Sequence, residues 1–368
     1  MKGRRAPVGL AVALVMGWAV PRAVAVDRVP NDGKLGSSVT GLWLPGIMYG
    51  SAGWTGLAFL QASLRNLSVA GVRTEISMTP SYTQYSIPFQ LVDEPLQPVR
   101  GVQMQQSGVT LRWAWWFTER FRVDAGASLY EQHEWIDPLP FEKVRVARTL
   151  KGPFASSEAD RHQVAPQFYV EAYWDNLDDE YGLVTGNPLE GWRFDLKVLA
   201  ARRNGRRDGY TRGFLQLERF FRVAPRQTLV ASFIGRWTDR TLPMYAMQMY
   251  GGADYFPNQA LRGYILSYFW GDWLWNASAE WRFPLAGSGA TRLGGVVFAD
   301  SGGVGSYVAS EHSGYQNGPF FGFGAGLRAF LADTIIVRLD FSVPRISAAA
   351  GPHDAPWNFV HLGLGQTF

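Results

Sequence analysis

Five histidines, 31 Asp and Glu residues and no cysteine bound the chemistry open to this chain. None of His133, His162, His312, His353 and His361 stands at a metal-ligand spacing such as H-E-x-x-H. Ser310-Glu311-His312-Ser313 is too local to bring a nucleophile, a base and an orienting acid together from separate positions. Asp175, Asp178, Asp179 and Glu180 are clustered carboxylates, but their spacing fits no standard calcium loop and turns favour Asp anyway. The expectation is therefore no catalytic residue, no metal and no cofactor. Guanidinium chemistry remains. Arg202, Arg203, Arg206 and Arg207 flank Asn204-Gly205, which reads as a type I′ hairpin turn. Four forked donors there suit phosphate oxygens such as those of lipopolysaccharide. They serve equally as a solvated loop that blocks edge pairing. Arg262, in Leu261-Arg262-Gly263-Tyr264, reads on its own as a solvated loop cation.

The elements that must position these residues are strands. Val360, Leu362, Leu364 and Phe368 share one face at period two, interrupted only by Gln366. A soluble sheet seldom ends on such a strand, because a free apolar edge invites aggregation. A closed membrane barrel can end there, since its last strand pairs with its first. The terminal aromatic resembles the sorting signal of bacterial outer-membrane barrels.

The other end agrees. Lys2, Arg4 and Arg5 precede an apolar run from Ala6 to Val20, then Ala23-Val24-Ala25 as a cleavage site. Residues 1–25 read as a signal peptide for general secretion, 26–39 as a short periplasmic lead and 40–368 as the barrel. The formal charge of +4 comes from this leader. Without Lys2, Arg4, Arg5 and Arg22 the chain carries 31 basic against 31 acidic residues, so nothing argues for a nucleic-acid partner. Absence of Cys excludes disulfides and a lipidated cysteine. The 15 Trp and 15 Tyr suit aromatic girdles at two lipid interfaces.

Alternation is cleanest in Ile335, Val337, Leu339, Phe341 and Val343 against Arg338, Asp340 and Ser342. It recurs in Ala277, Ala279, Trp281 and Phe283 against Ser278, Glu280 and Arg282, and in Val123, Ala125, Ala127 and Leu129 against Asp124, Gly126, Ser128 and Tyr130. Sixteen strands are expected. They lie near 40–49, 53–62, 67–77, 81–91, 99–106, 109–117, 121–131, 165–175, 191–201, 210–222, 228–238, 275–285, 292–300, 321–331, 334–344 and 357–368. Turns should alternate short (periplasmic) and long (extracellular), with 132–164 and 239–272 outside.

Four motifs behind one another carry a family likeness. Leu261-Arg262-Gly263-Tyr264 follows Gly251-Gly252 in the longest loop. Glu280-Trp281-Arg282-Phe283-Pro284-Leu285 ends the next strand, Phe298-Ala299-Asp300-Ser301-Gly302 the one after, and Gly324-Ala325-Gly326-Leu327-Arg328 lies on the next. Trp174-Asp175, Asp178 and Pro188-Leu189-Glu190-Gly191 supply a further turn, and Leu364-Gly365-Gln366-Thr367-Phe368 the end. This order resembles the BamA/TamA superfamily of outer-membrane assembly and translocation barrels, also called bacterial surface antigen barrels. The likeness is strong after residue 165 and thin before it, where Pro45, Tyr49 and Gly56 match loosely. Members usually carry periplasmic polypeptide-transport-associated domains; none is seen here, which resembles the barrel-only branch.

The resemblance implies an all-β, antiparallel barrel whose first strand closes on its last, with the long sixth extracellular loop folded into the lumen. It implies that Arg262 latches onto the inward acids Glu280 and Asp300, with Gly263 approaching the wall and Tyr264, Phe298 and Gly302 beside them. Between the end strands, Pro45 and Gly46 face Gly363 and Gly365 as a seam: proline removes a donor and glycine weakens pairing. That seam opens sideways to template a strand, or the glycines merely relieve crowding. The implied activity is insertion or translocation of protein, or lipid transfer, without catalysis. Outer-membrane lipid, lipopolysaccharide, the barrel-folding machinery and an unnamed passenger are the implied partners, and a homodimer stays open. A passive diffusion pore and a non-transporting anchor are the alternatives.

Overall fold

The structure, a computed structural model, describes residues 36–48, 53–91, 100–138, 149–150, 161–178, 189–202, 209–239, 248–250, 261–264, 269–288, 291–305, 318–331, 335–346 and 357–364. All regular structure among them is strand: β1 (Gly36–Met48), β2 (Gly53–Val69), β3 (Val72–Leu91), β4 (Arg100–Trp116), β5 (Phe121–Pro138), β6 (Thr149–Leu150), β7 (Arg161–Asp175), β8 (Gly191–Arg202), β9 (Gly209–Ala224) and β10 (Gln227–Thr238). There follow β11 (Gln248–Tyr250), β12 (Gly263–Tyr264), β13 (Phe269–Gly271), β14 (Trp273–Ser288), β15 (Thr291–Gly305), β16 (Phe320–Leu331), β17 (Ile335–Ile346), β18 (Trp357–Asn358) and β19 (Val360–Leu364). No described helix is long and apolar enough to cross a membrane, which leaves strand-built spans untouched.

Antiparallel neighbours run β1-β2-β3-β4-β5-β7-β8-β9-β10-β14-β15-β16-β17-β19 in one sheet. That is fourteen strands, where sixteen were expected. Two expected turns do not form. The segments near 67–77 and 81–91 are one extended run, β3, after a two-residue hairpin at Ala70-Gly71 with φ of 52° and 80°. Pro80 sits inside the strand where the β2–β3 ladder is interrupted, between Phe59↔Ser81 and Ala62↔Met78. A missing donor costs least at such a gap. The segments near 99–106 and 109–117 likewise fuse into β4, with Ser107 and Gly108 paired on both sides. Each fusion removes one turn, and together they remove two, an even number. The 239–272 loop therefore stays at the expected end of the sheet, as the fifth rather than the sixth connection there. β1 also begins at Gly36 rather than 40.

Period two decides what each face meets. On β10, Val230, Ser232 and Ile234 are buried while Leu229, Phe233 and Trp237 are exposed. On β17, Arg338, Asp340 and Ser342 are buried while Phe341 and Val343 are exposed. The sheet thus turns aliphatic and aromatic side chains outward and charge inward, the inverse of a soluble protein. Inward charges pair across strands: Arg112 with Asp124 at 3.1 Å, Lys197 with Glu171 at 3.0 Å and Arg193 with Glu218 at 2.8 Å. Leu177 and Leu189, flanking the β7–β8 connection, are buried, and Leu177 clusters with Phe220 and Val230.

Among the described residues no pairing joins β1 to β19. β19 contributes five paired residues, from Val360↔Phe341 to Leu364↔Val337.

Candidate functional site

Arg262 is the centre of the site, and it is fully buried. Its Nε and Nη2 donate to the two carboxylate oxygens of Asp300, each at 2.7 Å, and its backbone N–H donates to the same group at 3.1 Å. Nη1 donates to Glu280 Oε2 at 2.7 Å. Asp340 Oδ2 lies 3.7 Å from Nη1. The guanidinium carbon sits 3.3 Å from the centroid of the Phe298 ring. The forked contact to Asp300 uses the planar donor geometry that Lys lacks. Burial works against the charge of Arg262, but Asp300, Glu280 and Asp340 outweigh it and hold the guanidinium above its ordinary range.

Three wall strands position these acids: β14 brings Glu280, β15 brings Asp300 and β17 brings Asp340. All point inward by parity, and all are buried. Two wall arginines complete the cluster. Arg282 Nε donates to Glu280 Oε1 at 2.7 Å, and Arg328 Nη1 donates to Asp340 Oδ1 at 2.5 Å. Glu280 and Asp340 therefore keep cationic partners when the loop is ignored.

The residues after Arg262 extend the contact. Gly263, at φ of 105°, donates its N–H to His361 Nε2 at 2.9 Å. Gly263 and Tyr264 pair with Asn358 and Trp357. The Tyr264 hydroxyl donates to the Phe321 carbonyl at 3.1 Å, and its ring meets Phe320 edge-on at 6.1 Å. Gly302 is buried opposite Phe320, on the same inward face as Asp300. Gly322 lies beneath the loop backbone: a Cβ there would fall 1.8 Å from the Arg262 carbonyl oxygen. Gly322→Ala is expected to unseat the loop with every charge retained, at about 1–3 kcal/mol of overpacking. Thermal unfolding of the purified barrel in detergent measures that cost; an unchanged midpoint would show that the loop does not rest on the wall there.

The structure thus brings together the predicted Arg262, Gly263, Tyr264, Glu280, Phe298, Asp300 and Gly302. Asp340, Arg328 and His361 join them and were not expected as site residues. Asp340 and His361 had only inward parity on β17 and β19 as an advance signal; Arg328 also stood at the end of the Gly324–Arg328 motif. The seam candidates do not meet among the described residues: Pro45 and Gly46 pair with Gly56 and Thr55 of β2, and Gly363 pairs with Arg338 of β17. Gly365 and Phe368 lie outside the described residues. Val360 and Leu362 are exposed on the outward face, and Leu364 pairs with Val337. Arg202 is exposed at the end of β8; Arg203, Arg206 and Arg207 lie outside the described residues, as does the proposed leader 1–25. Of the acidic cluster, Asp178 serves a turn: its Oδ1 accepts from Leu189 N–H at 2.8 Å and its Oδ2 from Arg222 at 2.6 Å. Asp175 accepts from the Tyr173 hydroxyl at 2.8 Å, and Asp179 and Glu180 lie outside the described residues.

Comparison with known proteins follows the same lines. The solved structures similar to this chain include BamA from Haemophilus ducreyi lacking POTRA domains 1–3, with TM-score 0.57 at 11% identity over 89% of this chain and 70% of that one. CdiB from Escherichia coli gives TM-score 0.55 at 12% identity, over 89% of this chain and 61% of that one. At such identities the likeness is one of fold. No curated protein sequence matches the chain. A family model, the Omp85 superfamily domain, matches residues 73–368. The order of strands, the inward arginine loop and this match agree, and the chain belongs to the Omp85 superfamily.

Proposed function

We propose that this protein is an outer-membrane barrel, closed by pairing of β1 with β19 and latched from inside, that inserts or translocates protein, or transfers lipid, through its lumen and seam. The observation that carries the reading is Arg262, fully buried and bound to Glu280 and Asp300. A loop held to the wall by desolvated charge has two discrete states, seated and released, and a conduit needs such a pair. The outward apolar and inward charged faces support placement in a bilayer. Export by a leader over residues 1–25, contact of Arg202, Arg203, Arg206 and Arg207 with lipopolysaccharide, and assembly by the barrel-folding machinery belong to the same proposal. No enzymatic step and no cofactor enter it.

A passive diffusion pore is the second reading, favoured by wall charges that stay partly solvated, such as Lys197 at 35% exposure. Planar-bilayer recording of the full chain separates the two. A small, flickering current that changes on Arg262→Ala is expected of a latched conduit; a large, steady, solute-selective current would replace that reading with the pore. Cross-linking in cells should capture a periplasmic passenger, and its absence would leave an anchor. Closure is tested by cysteines walked along β1 against one at Leu362, which should form a disulfide at one register only.

A further inference from the structure

The last strand changes partners within five residues. Trp357 and Asn358 pair with the loop residues Tyr264 and Gly263. The Phe359 carbonyl then accepts from Ser342 N–H on β17 at 2.9 Å, and Val360 begins the β17–β19 ladder. Phe359 and Val360 are exposed, Val360 on the outer face with Leu362, whereas His361 is buried on the inner one. Its Nε2 accepts from Gly263 N–H at 2.9 Å, so that nitrogen carries no proton and Nδ1 carries the hydrogen. One short segment therefore belongs to the wall on one side and to the loop on the other.

We infer that His361 is a positioning residue that fastens the latch loop to the terminal strand, so that the loop leaves its seat only when the outer end of β19 loosens. The inference rests on the latched-barrel reading and adds the strand to which the latch reports. Arg262 ties the loop to β14, β15 and β17 through Glu280, Asp300 and Asp340; among the described residues, Gly263 and Tyr264 tie it to the segment that leads into β19. Asp340 is also the cross-strand neighbour of His361, so the charge cluster and the imidazole share one wall position. Coupling of this kind is reciprocal: whatever the strand contributes to seating the loop, the loop contributes to ordering the strand.

The chain has no native cysteine, which makes a single-cysteine reporter simple. Leu261→Cys places a thiol at a fully buried loop position, and a membrane-impermeant maleimide reads its exposure in lipid vesicles. His361→Leu, which deletes the acceptor, is expected to speed labelling about tenfold, the scale of a buried donor left unmatched. His361→Gln, which keeps an acceptor, should label at nearly the parent rate. Reciprocally, Arg262→Ala should speed amide hydrogen exchange across 357–362 by a similar factor. Heat-modifiable migration identifies variants that fold; should His361→Leu fail there, the Gln variant and the exchange arm decide. Parent-rate labelling in His361→Leu, equal acceleration by Leu and Gln, or unchanged exchange in Arg262→Ala would each overturn the inference. These readouts follow loop and strand whatever crosses the barrel. Failure to conduct or to capture a passenger sinks the proposed function and leaves the fastening standing.

Discussion

Arg262→Ala is expected to destabilise the folded barrel by about 3–5 kcal/mol, the cost of removing one partner from a buried charge cluster. The geometry says which acid suffers. Glu280 keeps Arg282 and Asp340 keeps Arg328, whereas Asp300 loses its forked guanidinium pair and is left with only the backbone N–H of residue 262 from the loop. Loss of neutral hydrogen bonds alone would cost only about 0.5–1.5 kcal/mol each, so the larger figure tests whether charge holds the loop. Arg262→Lys should fall between, because an ammonium can meet one carboxylate but cannot fork across Asp300. Asp300→Asn in the Arg262→Ala background should restore part of the loss by removing the stranded charge, giving a non-additive cycle. Thermal unfolding in detergent, followed by heat-modifiable migration, measures the parent, these three variants and Asp300→Asn alone, which completes the cycle. An Arg262→Ala barrel within about 0.5 kcal/mol of the parent would mean that the cluster is not a latch.

Val297→Arg tests the bilayer itself. Val297 lies near the middle of β15, on the outward face, at 47% exposure. If that face met water, a further surface cation would change stability by no more than about 0.5 kcal/mol. If it meets lipid, an arginine near the bilayer midplane costs about 2–4 kcal/mol. The two expectations differ by enough to decide from one variant. Folding into vesicles of long-chain lipid, titrated with urea, is the measurement. An unchanged midpoint would falsify the membrane reading of the whole sheet, since Leu229, Phe233, Phe341 and Val343 share the exposure of Val297.

The parts of the site that could be read in advance are those written in short-range pattern. Inward parity places Glu280 with Arg282 and Asp300 with Phe298, because a strand repeats every two residues whatever lies beside it. The family likeness adds Arg262 to those acids. Asp340 and His361 carried the same parity signal, but nothing local says that β17 and β19 bring them under the same loop. The register does that, through Gly326↔Asp340 and His361↔Asp340. The strand count failed for the opposite reason. Pro80 and Ser107-Gly108 have turn-forming composition, yet each is carried inside a long ladder whose cross-strand pairs outweigh local preference.

Composition and alternation by themselves determined that this protein is built of strands with an apolar outer face, and that one arginine stands ahead of two acids. Only the tertiary structure decided that fourteen strands follow one another in antiparallel order, that the arginine is wholly buried, and that the loop grips the terminal strand as well as the wall. The physical reason is distance along the chain. Side-chain parity is a property of adjacent peptides, whereas the Gly263–His361 contact joins residues 98 positions apart and forms only when every strand between them has found its register.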